Sequence, residues 1–378
     1  MEKDQIQQQL TSTLTSLKEM KESTAVTLLV AMTLIVILIA FLYYFYFKFL
    51  RSRECSAMNT IYGELNGKIK SIDDNPNFNY SLRDYYIKTA YNCCSGGNYR
   101  NDYVDTCVLK SVLKQGVRGL DFEIYSINDQ PVIATSTSDN YHVKETFNYI
   151  NFADAMDIIR DYAFSTSTAP NSKDPIILHL RIRSQNQKMY ENFALLLKNY
   201  DNILLGKEYD SEYYGQNFGS VKIKNLLGKV TIIVEKFDNA YLECPEFYKF
   251  INMTSNSVFM KAICYNDIAS MQITTDELVS FNRQFMTICM PNPGPNPPNP
   301  DFNAMIGTGC QMLAMRYSLV DANIETNDAF FNENGYAFAL KPQNLRYIPE
   351  TIPMPPPQNP ELSYATRTVE SDYYKFNM

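Results

Sequence analysis

Tryptophan is missing from these 378 residues, and histidine occurs only twice, at His142 and His179. The first absence decides nothing, because 28 tyrosines and 22 phenylalanines supply aromatic mass. A surplus of positive charge is also missing. The formal net charge is −7 and no basic stripe is available to neutralise phosphates, which argues against nucleic acid as a partner. There is no glycine-rich phosphate cradle and no internal repeat. The eight cysteines (55, 93, 94, 107, 244, 264, 289, 310) follow no framework spacing, so the expectation in a domain this large is reduced thiols. Charge is absent altogether from one run, "AVTLLVAMTLIVILIAFLYYFYF", residues 25–47.

That run is what the chain does have. As a helix it is about 35 Å long, enough to cross the hydrocarbon core, and its tyrosine- and phenylalanine-rich end suits an interface. No small-x-small cleavage site follows it, as a signal peptide requires, and no polar face marks it as a core helix. The expectation is a single-pass membrane protein. Lys48, Arg51 and Arg53 cluster after the span, while Lys3, Lys18 and Lys21 before it are interspersed with acids. The cluster points the large C-terminal domain to the cytoplasmic side. Asn79-Tyr80-Ser81 and Asn252-Met253-Thr254 fit the glycosylation pattern and matter only if the domain faces the other way.

Four regions follow. Residues 1–24 carry Ile6, Leu10, Leu14 and Leu17 on one face of a short amphipathic helix. Residues 25–47 are the span. Residues 56–348 alternate β-branched runs, such as "PIILHLRI" (175–182) and "VTIIVEK" (230–236), with amphipathic stretches, such as "FADAMDIIRDYAF" (152–164) and "QKMYENFALLLKNY" (187–200). Such alternation implies a parallel sheet covered by helices, at a length suited to a closed β/α barrel. "PNPGPNPPNP" (291–300) has six prolines in ten residues and reads as an extended loop. Residues 349–378 form a proline-rich polar tail, expected to be extended and a candidate docking strand.

Taken together, "LKQGVRGLDFEIY" (113–125), "PVIA" (131–134), the helix ending "DYAF" and "DPIILHLRI" resemble the X half of the catalytic barrel of phosphoinositide-specific phospholipase C, here about 85–236. "GCQMLAMRYSLVDANIETNDAFFNENGYAFALKPQNLRY" (309–347) resembles the Y half, here about 258–348. The resemblance implies a distorted (β/α)8 barrel of TIM type behind the membrane helix. A membrane helix with no room for lipid-targeting modules resembles the phospholipase-C-like proteins of large nucleocytoplasmic DNA viruses, which implies a virion or host membrane.

In that family two histidines and a calcium ion act on the phosphodiester, and the resemblance implies their loss here. The first histidine position falls on Tyr91 in "AYNCC", beside a retained calcium-ligand position, Asn92. The second falls on Thr137. Calcium-ligand positions fall on Asp121 and Glu123, still acidic, and on Arg181, which is not. Lysine positions that hold inositol phosphates fall on Ile233 and Glu235; the headgroup-gripping arginine and tyrosine positions fall near Thr287 and Cys289. Neither a threonine hydroxyl nor a tyrosine exchanges protons near neutral pH as imidazole does, and losing such help typically costs roughly 10²–10⁴-fold. Glutamate at a lysine position repels a polyanionic headgroup. His142, in a polar loop after Thr137, is the one rescue candidate; His179 reads as a buried, hydrogen-bonded histidine. Cys93 and Cys94 have only acidic neighbours to activate them, which raises a thiol pKa.

The expected function is therefore a membrane-anchored, catalytically inactive pseudoenzyme serving as a structural or interaction module. It would bind the bilayer through 25–47 and unidentified protein partners, and need no cofactor. One alternative is a divergent phosphatidylinositol phosphodiesterase using Ca2+ on Asn92, Asp121 and Glu123. Another is a module that recognises a lipid headgroup without cleaving it. Arg181 separates the first two: if it meets Asp121 and Glu123, a guanidinium occupies the ion's position.

Overall fold

The computed structural model describes residues 22–138, 142–270, 273–349 and 366–378, together with residues 8, 11–13 and 15. Ile6, Leu10, Leu14 and Leu17, which define the expected amphipathic segment at 1–24, lie outside the described residues, as does most of the second proline cluster.

Helix α1 runs without interruption from Glu22 to Tyr62, 41 residues and so about 60 Å. It is long and apolar enough to cross a membrane, and its side chains between Val26 and Tyr46 are largely exposed. The helix is longer than a hydrocarbon core is thick, and its end continues onto the barrel. Leu50, Glu54, Met58 and Tyr62, spaced by four, are buried there. They seat α1 against helix α2 (Thr106–Lys114), whose first turn is capped by the Asp105 carboxylate accepting from Cys107 N at 3.0 Å. Cys55 and Cys107 form a disulfide. The expectation of reduced cysteines is corrected at this pair. Spacing along the chain did not reveal it, because the partners meet only when α1 lies across α2. The other six cysteines are not in disulfides. The last turns of α1 thus pack with the barrel.

Beyond α1 the chain alternates strands and helices. The strands are β1 (Tyr85–Ala90), β2 (Gly119–Ile127), β3 (Gln130–Ile133), β4 (Ile150–Asn151), β5 (Ile176–Ile182), β6 (Val230–Glu235), β7 (Met253–Ser255), β8 (Met260–Cys264), β9 (Met286–Met290), β10 (Met312–Met315) and β11 (Phe338–Leu340). Helices α3 (Phe152–Ile158), α4 (Gln187–Lys198), α5 (Thr275–Gln284) and α6 (Ala322–Asn334) pack outside them. Eight strands pair in parallel in the order β7-β6-β5-β2-β1-β10-β9-β8, giving a nearly closed barrel. Strands β3 and β11 add antiparallel to β2 and β1. "PNPGPNPPNP" is a loop after β9, as expected from its prolines.

The period of two along each strand sorts the core into layers. On β5, Ile176, Leu178, Leu180 and Ile182 face the helices in one cluster, with Met189, Phe193 and Leu197 of α4. Ile177 joins a second cluster inside the barrel with Ile233, Met286, Ile288 and Met312. The same inner face of β5 continues with His179, Arg181 and Arg183, all fully buried.

Gly119 sits where β2 begins, opposite Thr89 of β1. A Cβ there would lie 2.3 Å from Thr89 Oγ1, which is held by its hydrogen bond to the Ile87 carbonyl at 2.7 Å. Gly119→Ala is expected to cost about 1–3 kcal/mol through overpacking, read as a lowered denaturant midpoint.

Residues 347–378 form a separate unit. Its described part carries an antiparallel hairpin, β12 (Thr368–Glu370) and β13 (Lys375–Asn377), with Val369 opposite Phe376. The extended tail expected at 349–378 is corrected over that stretch.

Candidate functional site

The register between β2 and β5 builds the centre of the site. Asp121 lies opposite His179, and Glu123 opposite Arg181, all at the barrel's inner face. Asn92 joins them from the turn after β1. Its backbone takes a positive φ of 44° and its N–H donates to Asp121 Oδ1 at 3.2 Å.

Arg181 holds these groups together. Its Nε donates to both Asp121 oxygens at 3.1 and 3.2 Å. Nη2 donates to Asp121 Oδ1 at 3.0 Å and to Asn92 Oδ1 at 2.7 Å. Nη1 lies 3.5 Å from Glu123 Oε2. The guanidinium carbon lies over the Tyr91 ring, 4.6 Å from its centre, a cation–π contact. Glu123 also accepts from Tyr125 Oη at 2.6 Å. His179 is buried, its Nδ1 2.7 Å from Asp121 Oδ2 and its Nε2 2.9 Å from Ser255 Oγ. The ring therefore spends both nitrogens on structure.

A calcium ion requires six to eight oxygens at about 2.3–2.6 Å. Here the oxygens of Asn92, Asp121 and Glu123 already converge on one guanidinium. As they stand, these residues do not fit a divalent ion.

Burial pushes the Asp121 carboxyl up, but the Arg181 charge and the hydrogen bonds from His179 and Arg181 outweigh it and hold the pKa down at about 2. The folded value lies below the ordinary 3.8, so ionised Asp121 stabilises the fold at neutral pH, and that contribution is lost as pH falls from about 4 through 2. Wild-type stability should fall across this window more steeply than that of Asp121→Asn, measured by melting at successive pH values. Equal slopes would refute the contribution.

The remaining predicted positions fall on three sides of this centre. Thr137 Oγ1 donates to Glu145 at 2.5 Å, and its backbone N–H donates to the same oxygen at 2.7 Å. Burial raises the Glu145 carboxyl, but these bonds, with one from Ser136, hold it below the usual range. The Thr137 hydroxyl is thus tied to its own loop. His142 is exposed, its ring edge-on to Phe237 at 5.9 Å, on the rim rather than among the inner groups. Ile233 is buried inside the barrel in an apolar cluster.

Glu235 pairs with Arg183 at 2.8 Å, which corrects the expectation of bare repulsion: the acid carries its own counter-charge. Thr287 and Cys289 turn toward the helices. Thr287 Oγ1 donates to Asn282 of α5 at 2.5 Å, and Cys289 belongs to the outer cluster. The inner residues of β9 are Met286, Ile288 and Met290, all apolar. Cys93 and Cys94 are buried, and burial pushes both thiols up.

Sequence reasoning missed the cover of the site. Arg316 stacks on Tyr99 at 4.8 Å, Tyr99 meets Tyr91 edge-on at 5.7 Å, and Tyr91 covers Arg181. Arg316 also donates to Asn296 Oδ1 at 2.8 Å and to the Pro297 carbonyl, while Tyr99 N donates to the Pro295 carbonyl at 2.9 Å. The proline loop is thereby fastened over the aromatic stack, and Tyr91 and Tyr99 are buried. Arg183 had a signal, lying two residues beyond Arg181 on the same strand face. Arg316 and Tyr99 had none.

Residues 78–236 match the family model for phosphatidylinositol-specific phospholipase C, X domain. The match ends just after β6, and the remaining strands β7 to β11 lie beyond it. Among solved structures the chain is similar to PLC21 of S. officinalis (TM-score 0.58, 16% identity, covering 73% of this chain and 39% of that one). It is likewise similar to PLC21 of L. pealei (TM-score 0.57, 16% identity, 71% and 38%). A calcium-dependent phosphoinositol-specific phospholipase C from Pseudomonas sp. aligns at TM-score 0.45 and 14% identity, over 73% of this chain and 99% of that one. No curated protein matches the chain. These likenesses are of fold, and the chain spans about two-fifths of the PLC21 structures.

Proposed function

We propose that this protein is a membrane-anchored phospholipase-C-like barrel that does not turn over phospholipid and works as a structural or interaction module. Residues 25–47 would cross the bilayer once and hold the barrel at its surface. The reading rests on Arg181, whose guanidinium takes up the oxygens of Asn92, Asp121 and Glu123 beneath Tyr91. Two further features support it: Thr137 is tied to Glu145, and His179 is held between Asp121 and Ser255. The narrower resemblance to viral phospholipase-C-like proteins is carried as part of the same proposal and implies a virion or host membrane.

The test uses the full chain reconstituted into phosphatidylinositol-containing vesicles, with and without calcium. The expected result is no inositol phosphate above the protein-free blank in either condition. Calcium-dependent release that disappears in Glu123→Ala would overturn the proposal. It would establish the second reading, a divergent phosphodiesterase, which the retained Asn92, Asp121 and Glu123 and the X-domain match favour.

A further inference from the structure

Two features lie outside the site and the proposed function leaves both unused: the Cys55–Cys107 bridge and the paired glycosylation triplets. Cys55 follows the apolar run closely along α1, and its partner opens α2. Both sulfurs belong to half-exposed residues, within reach of small thiols. A reachable disulfide persists where the compartment is oxidising and is reduced where glutathione and thioredoxin act. The bridge therefore bears on which side of the membrane the barrel occupies.

The two triplets differ in a way that only the fold reveals. Asn252 is buried; its Oδ1 accepts from Ile232 N at 2.8 Å and its Nδ2 donates to the Tyr209 carbonyl at 3.0 Å. A glycan on that buried nitrogen has no room within the barrel wall. Asn79 is exposed, closing a short turn after Pro76–Phe78, with its backbone N–H bonded to the Pro76 carbonyl at 3.0 Å. The exposed Tyr80 and the half-buried Ser81 complete the triplet, and no proline interrupts it.

We propose that the barrel lies on the oxidising, extracytoplasmic side of its membrane and that Asn79 is its one N-glycosylation site. This reverses the sidedness expected from Lys48, Arg51 and Arg53, a cluster nearly balanced by the lysines before the span. In the modification, Asn79 Nδ2 forms a bond to the anomeric carbon of a lipid-diphosphate-linked oligosaccharide. The bond from that carbon to the phosphate oxygen breaks, the lipid diphosphate leaves and the amide proton passes to a base. The bridge forms as the Cys55 and Cys107 thiols give two electrons and two protons to a disulfide oxidant of the same compartment.

The test expresses the full chain in eukaryotic cells and compares its electrophoretic mobility before and after enzymatic removal of N-glycans. One step of shift is expected for wild type and for Asn252→Gln, and none for Asn79→Gln, a surface change, or for Ser81→Ala at its half-buried neighbour. A maleimide of high mass, added to unreduced membranes solubilised in denaturant, should leave two of the eight cysteines unlabelled until reductant is present. Wild type without a shift overturns the proposal. A shift that survives in Asn79→Gln overturns the assignment to Asn79, and eight labelled cysteines without reductant overturn the oxidising side.

Discussion

Arg181→Met is expected to lower stability by about 3–5 kcal/mol, the usual cost of removing one partner from a buried ion pair. Asp121 and Glu123 are both fully buried and would keep their charges without the guanidinium that compensates them. The loss should appear as a lower denaturant midpoint with an unchanged slope. Adding Asp121→Asn and Glu123→Gln to the same chain should recover much of it, since no unpaired charge is then left inside. Arg181→Glu is the sharper form. It sets a third carboxylate beside two others, and the repulsion should leave the variant unstable in chelator. Those oxygens then suit a divalent ion, and calcium at a hundred times its dissociation constant would restore about 2.7 kcal/mol. The wild-type melting temperature should not respond to the same calcium. A calcium-dependent rise in wild type would mean that Arg181 yields its place and that the barrel still binds the ion.

Removing the Cys55–Cys107 bridge is the second large expected effect. The bridge closes a stretch of 52 residues, and the chain-entropy relation assigns such a closure about 4 kcal/mol at 25 °C. The stretch includes the end of α1, the turn at Pro76–Phe78, and β1 with its following turn, so the bridge confines much of the unfolded chain near the first strand. The paired change Cys55→Ala and Cys107→Ala should therefore melt well below wild type when both are measured in the same detergent without reductant. Wild type in dithiothreitol should approach the variant, because the sulfurs are half-exposed and reduce without global unfolding. Coincident melts in all three conditions would show that Leu50, Met58 and Tyr62 hold α1 to the barrel unaided.

These two sites differ in how far the sequence foretold them. The meeting of Arg181 with Asp121 and Glu123 follows from residues on neighbouring strands of a barrel whose register the resemblance implies. Period-two alternation then turns His179, Arg181 and Arg183 inward together. The disulfide was not foretold, since its partners lie on two helices whose crossing no local pattern encodes. Thr287 and Cys289 show the same limit at smaller scale. A one-residue uncertainty on a strand exchanges the inner and outer faces, and only the pairing of β9 with β10 resolves it. Glu235 was readable as an acid but not as a neutralised one, because Arg183 reaches it from the end of the neighbouring strand.

Local chemistry along the chain was enough for the apolar helix long enough to cross a membrane, the β/α alternation and the proline loop. Each of these depends on residue type and short-range period, which a linear reading contains. The arginine–tyrosine stack under the proline loop, the bridge from α1 to α2, and the choice between Asn79 and Asn252 came from the folded chain. They depend on distances between segments far apart in sequence, set by how the barrel closes and how α1 lies against it.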